Sequence, residues 1–204
     1  MKKSQFIALY AIIVALTLVA AAPFFMFVFL IPMIVVCGAF RFRTGMFAAL
    51  VFGVVSFSYM WFNADPVSLI FQNAPWIAIV PRLITGALAW WAGAGVRRLT
   101  HTVDNRFVRE GLPALVVALV ASLSNTVLVV GGLVLLTDAA YAIGMTNMGF
   151  FVSIIPQATV ELIVTMIVCP PLVMALRRGL RGMSLEQELS QVRQKTKNEE
   201  VAES

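Results

Sequence analysis

The sequence predicts an all-α membrane protein, a bundle of six transmembrane helices with both termini in the cytoplasm. Of its 204 residues, 60% are hydrophobic and 12% are charged, whereas a soluble domain carries about 25% charged residues. The apolar residues form runs of 17 or more, long enough to cross a hydrocarbon core of ~30 Å as helix. The basic residues fall on alternate connections between these runs, the pattern that orients a multi-span protein.

The predicted spans follow the apolar runs in chain order. Backbone polar groups find no water partner inside lipid, so each run must be helical to cross it. The six spans are Phe6–Ala22, Phe24–Phe40, Thr44–Phe62, Trp76–Val96, Leu112–Thr137 and Gly149–Leu176. Pro23 separates the first two spans, and Pro32 predicts that the short second span is tilted or broken. Pro170 and Pro171 are expected to kink or end the membrane part of the sixth.

The two ends of the chain differ in composition. Residues 1–178 form the predicted transmembrane domain, and residues 179–204 form a polar cytoplasmic tail, in which Ser184 to Gln187 resembles a helix-starting capping box. We expect a short helix there and disorder after it. Lys2, Lys3 and the three alanines before Pro23 resemble a signal peptide, but a proline directly after that site would hinder cleavage. We therefore expect the first helix to be retained.

The basic residues predict the orientation of the helices. Fourteen of the fifteen lie before the first span or after the second, fourth and sixth: Lys2, Lys3, Arg41, Arg43, Arg97, Arg98, Arg106, Arg109, Arg177, Arg178, Arg181, Arg193, Lys195 and Lys197. The opposite loops, Asn63–Pro75 and Asp138–Met148, contain none. This alternation places both termini inside. The net charge of +5 is then explained by attraction to an anionic inner leaflet rather than to nucleic acid.

The chain lacks the short motifs of common enzymes. No zinc-protease, serine-hydrolase or phosphate-binding glycine motif occurs. Cys37 and Cys169 lie in apolar runs and predict packing rather than a disulfide or a metal site, and His101, the one histidine, lies in a basic loop. We therefore expect no enzymatic activity, no metal and no cofactor.

Two ionisable residues fall well inside predicted spans, Arg82 in the fourth and Glu161 in the sixth. A charge there costs at least ~2.5–3.5 kcal/mol on insertion scales, so such residues normally face the bundle interior or a wet cavity. Three explanations stay open: contact with a substrate, a structural Arg82–Glu161 pair, or coupling to an ion or proton.

Other polar residues are predicted at a similar depth. Gln157 shares a helix face with Glu161 because the two are four residues apart. Asn125 lies midway along the fifth span, Tyr59 in the outer half of the third, and Asn73 in the outer loop above. Together with Arg82 and Glu161 they predict a polar cavity open to the outside, although Asn125 and Gln157 are also typical of interhelical hydrogen bonds.

Small residues recur at a four-residue spacing, first at Ala11 and Ala15. Such pairs let helices approach closely, either within the bundle or against another protein.

The chain resembles the substrate-binding S components of energy-coupling factor (ECF) vitamin transporters. The resemblance covers residues 6–178 and includes the six-span plan with both termini inside. Its motifs are Ala11-x-x-x-Ala15-Leu16, Val80-Pro81-Arg82-Leu83-Ile84-Thr85-Gly86, Ser124-Asn125-Thr126, and Gln157-x-x-x-Glu161 followed by Pro170-Pro171. The Pro-Arg-x-x-x-Gly segment is the most specific. Gln157 departs from the family, in which asparagine is common at the matching position.

The resemblance implies capture of a water-soluble vitamin at a bacterial cell membrane. Uptake would require a transmembrane T component and two cytoplasmic ATPases. The face centred on Ala11 and Ala15 would contact the T component. Because a guanidinium binds a carboxylate bidentately, Arg82 favours an anionic vitamin such as pantothenate, with folate and biotin as alternatives.

Two other functions are compatible with the same plan. Small membrane scaffolds resembling the MreD family of cell-shape proteins bind no small ligand, and their polar residues serve as interhelical contacts. A solitary ion-coupled carrier or channel would use Arg82 and Glu161 directly. A shared scaffold does not decide among these functions.

Overall fold

The computed structural model describes the backbone of residues 3–20, 30–62, 66–105, 107–137 and 144–203, and the side chains of residues 10–18, 30–62, 68–105, 107–137 and 144–179. Within these ranges the protein is all-helical, without a strand. The helices, in chain order, are α1 (Lys3–Ala20), α2 (Ile31–Ala39), α3 (Phe42–Met60), α4 (Pro66–Asn73), α5 (Pro75–Thr100), α6 (Leu112–Leu136) and α7 (Asn147–Glu203), with a π-helical turn, Phe107–Gly111, directly before α6.

Among the described residues, four segments are long and apolar enough to cross a membrane: Phe42–Met60, Pro75–Thr100, Phe107–Leu136 and Asn147–Gly179. They correspond to the third to sixth predicted spans. The first predicted span is represented by α1. The described part of the second is the nine-residue α2, which alone is only about 14 Å long. The predicted features at Lys2, Pro23 and Arg106 lie outside the described residues, as do the tail side chains.

Helix α2 occupies the centre of the bundle. Seven of its nine residues are buried, among them Met33, Ile34 and Cys37, which are almost inaccessible. A helix that is apolar on all sides is stable only when neighbours surround it, and α2 packs against α1, α3, α5, α6 and α7. Its short length and Pro32 therefore do not exclude it from the core.

Helix α7 continues through the two prolines that were expected to kink or end it. It runs from Asn147 to Glu203 and contains Pro156, Pro170 and Pro171. Of these two alternatives, an end of the helix at Pro170-Pro171 is wrong, and so is the expectation of a separate short helix beginning at Ser184. Prolines are tolerated in membrane helices because neighbouring helices and local adjustments satisfy the carbonyls they leave free.

The largest helix contacts join α5 to α3 and α6, and α6 to α7. Glycine permits a close approach of α5 to α3: a Cβ atom on Gly86 would lie 2.5 Å from the Cβ of Ala49 on α3. An apolar cluster lies where α3 and α6 end and α5 and α7 begin. It includes Phe71 of α4, Leu133 and Phe150, and we call this end of the bundle the α4 end.

Candidate ligand-binding site

A cavity of about 330 Å³ lies among α3, α5, α6 and α7, towards the α4 end. This volume is at the lower limit of ligand pockets, which hold about 300–1,000 Å³. Seven polar residues from these four helices line it: Ser56, Tyr59, Arg82, Asn125, Thr126, Gln157 and Glu161. The sequence separates these residues by up to a hundred positions, so helix packing alone brings them together.

Arg82 supplies the buried cation of the cavity, with 6% of its surface exposed. Its Nη1 donates hydrogen bonds to the carbonyl oxygens of Ala78 at 2.8 Å and Ile77 at 3.4 Å, one turn earlier in α5. The rings of Phe52 and Phe71 lie against the guanidinium, with their centroids 5.7 and 5.9 Å from Cζ. Its Nε is buried and has no hydrogen-bond partner among the described residues.

Glu161 supplies the matching anion on α7. No nitrogen of Arg82 lies within the 4.0 Å that defines an ion pair with a Glu161 oxygen. Gln157, one turn earlier on the same helix, also lines the cavity and is exposed. The two ionisable groups therefore share one cavity and attract each other across it, but they form no direct ion pair.

Asn125 adds a neutral polar group from α6. Its Oδ1 is buried and accepts no hydrogen bond from the described part of the chain. The neighbouring Ser124 instead donates to backbone oxygens of its own helix, those of Val120 and Ala121. A buried polar atom without a partner is costly, and Asn125 and Arg82, which line the same cavity, each have one.

The rest of the wall is apolar. Leu30 and Phe52 belong to a core cluster deep in the bundle, and most of the other apolar lining lies nearer the α4 end, including Met60, Phe71, Val130, Leu133, Phe150 and Ile154. Along α6, Leu133 lies eight residues beyond Asn125, or about 12 Å at the rise of a helix. Arg82, Glu161 and Asn125 thus lie deeper than most of the apolar wall, whereas Tyr59, next to Met60, lies at the α4 end.

No known protein family matches this chain, and no curated protein matches it either.

Five of the six residues that the sequence assigned to substrate binding line this cavity: Tyr59, Arg82, Asn125, Gln157 and Glu161. The sixth, Asn73, is the last residue of α4; it is exposed and does not line the cavity. Ala11 and Ala15, assigned to a partner interface, are exposed on α1, whereas Ile13 and Thr17 face the bundle.

Sequence reasoning missed the two aromatic rings around Arg82. Phe71 was not predicted because its segment was assigned to an outer loop. Pro66 was the available signal for a helix there, since it occupies the first position of α4, where proline is favoured. Phe52 lies in an apolar run, and nothing in the sequence distinguishes it from the residues around it.

Proposed function

We propose that this chain is the substrate-capture subunit of an ECF-type importer in a bacterial cell membrane, binding a water-soluble vitamin or related micronutrient. The observation that carries the proposal is that Arg82 and Glu161 line one cavity without forming a direct ion pair. Taking a charge out of water costs several kcal/mol unless a partner compensates it. A ligand with complementary groups would supply that compensation, and a pantothenate-like anion fits Arg82.

The proposed topology has six membrane spans with both termini in the cytoplasm. Helices α1 and α2, with the residues between them, would form the first two spans. The four long apolar helices would form the others, and the basic connections would lie at the inner surface. Large apolar side chains such as Val127 and Ile167, which are 65% and 68% exposed, would then face lipid.

The proposed partners are a transmembrane T component and two cytoplasmic ATPases. The chain has no motif for ATP hydrolysis and is proposed to act without enzymatic activity or a cofactor of its own. Ala11 and Ala15 support the assignment of α1 to the T component, because they form a small-residue surface that this chain leaves uncovered.

The unsatisfied polar atoms favour ligand capture over a scaffold function. In a scaffold of the MreD kind, polar residues inside the bundle would hold the helices together through hydrogen bonds. Arg82 Nε and Asn125 Oδ1 make none with the described residues. Ser122 and Thr165, by contrast, hydrogen-bond to each other between α6 and α7 at 2.8 Å, so the bundle contains such contacts elsewhere.

Thermal stability with a vitamin panel tests the proposal. A ligand at 100 times its Kd should stabilise the purified full-length protein by about 2.7 kcal/mol. Arg82→Ala should weaken binding by about 2–5 kcal/mol, whereas the control Arg98→Ala, an exposed residue of the same helix, should bind normally. If no vitamin raises the melting temperature of the wild-type protein, the proposal fails.

Uptake by cells separates an importer subunit from a solitary carrier. We expect cells that produce this chain alone to accumulate no substrate, and cells that also produce the T component and ATPases to accumulate it. Accumulation by the chain alone, abolished by collapsing the ion gradient, would instead indicate an ion-coupled carrier.

A further inference from the structure

The cavity places a cation and an anion in one binding space without an ion pair within 4.0 Å between them. We infer that the captured compound is an ampholyte, with an anionic group that binds Arg82, an ammonium group that binds Glu161, and a short apolar body. This inference rests on the proposed capture function and narrows its substrate class: a simple monoanion satisfies only half of the site.

One edge of the Arg82 guanidinium has no hydrogen-bond partner among the described residues. Both Nη1 hydrogens point to helix carbonyls, those of Ala78 and Ile77, and the rings of Phe52 and Phe71 lie against the group. Nε–H and the two hydrogens of Nη2 remain. These donors lie on the edge that binds a carboxylate through two parallel hydrogen bonds, so an anion fits there.

Glu161 requires the opposite chemistry from the same ligand. An ionised carboxylate is only an acceptor, and Arg82, the cation that attracts Glu161, lies beyond the 4.0 Å of an ion pair. A monoanion bound to Arg82 would neutralise the one cation of the cavity and leave Glu161 uncompensated beside a second negative charge. A ligand that also carries an ammonium group removes that imbalance and leaves the filled cavity neutral.

Asn125 strengthens the requirement for a donor, because its buried Oδ1 also accepts no hydrogen bond from the described residues.

The apolar part of the cavity wall indicates the third part of the ligand, its apolar body. Leu133 and Phe150 belong to the apolar cluster at the α4 end, about 12 and 16 Å along their helices from Asn125 and Glu161. A compound with its polar groups deep in the bundle and a small apolar body towards α4 matches this gradient.

In the first experiment, the full-length protein is purified in detergent and incubated with a bacterial metabolite extract. Mass spectrometry then identifies the compounds that the protein retains. We expect a small compound that carries both an anionic group and an amine. A retained compound without an amine, or without an anion, overturns the inference but leaves the capture function intact. If nothing is retained, the proposed function fails and the inference fails with it.

The second experiment assigns each group of the retained compound to its residue. In the wild-type protein, acylating its amine and esterifying its acid should each weaken binding at least about tenfold. Glu161→Gln should weaken binding of the intact compound by a similar factor. In this variant, acylating the amine of the compound should cause no further loss of affinity. Ser58→Ala, an exposed residue whose hydroxyl donates to Val54 O, should change nothing. If acylation leaves wild-type binding unchanged, the inference is overturned whether or not the Glu161 variant folds.

Discussion

The ring of Phe71 lies 5.9 Å from the Cζ of Arg82, although Phe71 belongs to the short helix α4 and Arg82 to the long helix α5. Phe71 is 3% exposed. The next residue, Gln72, donates a hydrogen bond from Nε2 to the carbonyl oxygen of Met60 at the end of α3, at 2.9 Å. Helix α4 is thus held at both α3 and Arg82, and its aromatic ring shields the buried guanidinium.

Replacing Phe71 with leucine should destabilise the protein chiefly through the loss of this ring. Leucine keeps most of the apolar contact but has no π face for the guanidinium, and a desolvated cation–π contact is worth about 2 kcal/mol. We expect Phe71→Leu to lower the free energy of unfolding by about 1–2 kcal/mol, measured by denaturation in detergent. The control is Phe57→Leu, a residue packed against the same cluster that has no described contact with Arg82. Equal losses would show that the cation contributes nothing.

The glycine of the Pro-Arg-x-x-x-Gly segment provides a second test. A Cβ on Gly86 would lie 2.5 Å from the Cβ of Ala49, whereas a Cβ on Gly95, in the same helix, would meet nothing within 4 Å. We expect Gly86→Ala to cost about 1–3 kcal/mol by forcing α5 away from α3. Gly95→Ala should be neutral or stabilise by up to about 1 kcal/mol. Melting temperatures of the two variants measure the difference, and a tolerated Gly86→Ala would refute the close approach.

The apolar runs predicted most of the helices, because a long apolar segment has few alternatives to helix. The predicted spans Thr44–Phe62, Trp76–Val96 and Leu112–Thr137 agree with α3, α5 and α6 within four residues at each end. Helix α4 was not predicted. At eight residues it is too short for a periodicity argument, and its polar residues resembled those of a loop.

The polar character of the site was predictable from the sequence, but its walls were not. Arg82, Asn125 and Glu161 stand out because polar residues are costly inside lipid, and the structure brings them to one cavity. Asn73 lies in a polar segment where no such cost exists, so nothing indicated which way it faces. The aromatic contacts of Arg82 depend on helix packing, which the sequence of an almost wholly apolar helix does not specify.

The hydrogen bond between Ser122 of α6 and Thr165 of α7 should couple these helices. The Thr165 hydroxyl donates to the carbonyl oxygen of Leu162 at 3.0 Å, so Ser122 is the donor in the 2.8 Å contact between the two side chains. A double-mutant cycle of Ser122→Ala and Thr165→Val should give a coupling energy of about 0.6 kcal/mol, and at most about 1.7.

The matched control for this cycle is Ser124→Ala. Its hydroxyl donates only to carbonyl oxygens of α6, so its effect should add to that of Thr165→Val without coupling. Strict additivity of Ser122→Ala and Thr165→Val in unfolding experiments would show that the contact between the helices has no energetic weight.

The exposed alanine face of α1 gives the prediction that bears most directly on transport. Ala11 and Ala15 are exposed, whereas Ile13 and Thr17 are 2% and 1% exposed and pack inward. Introducing tryptophan at both alanines should leave the cavity intact and block close approach by the proposed T component. We therefore expect uptake to be lost in cells that produce all the subunits, while the purified variant binds substrate within about twofold of the wild-type affinity.

The control for this prediction is Val127→Trp, which places the same bulk on an exposed site of α6 and should transport normally. Full uptake by the double variant, or an equal loss with Val127→Trp, would exclude this face as the docking surface.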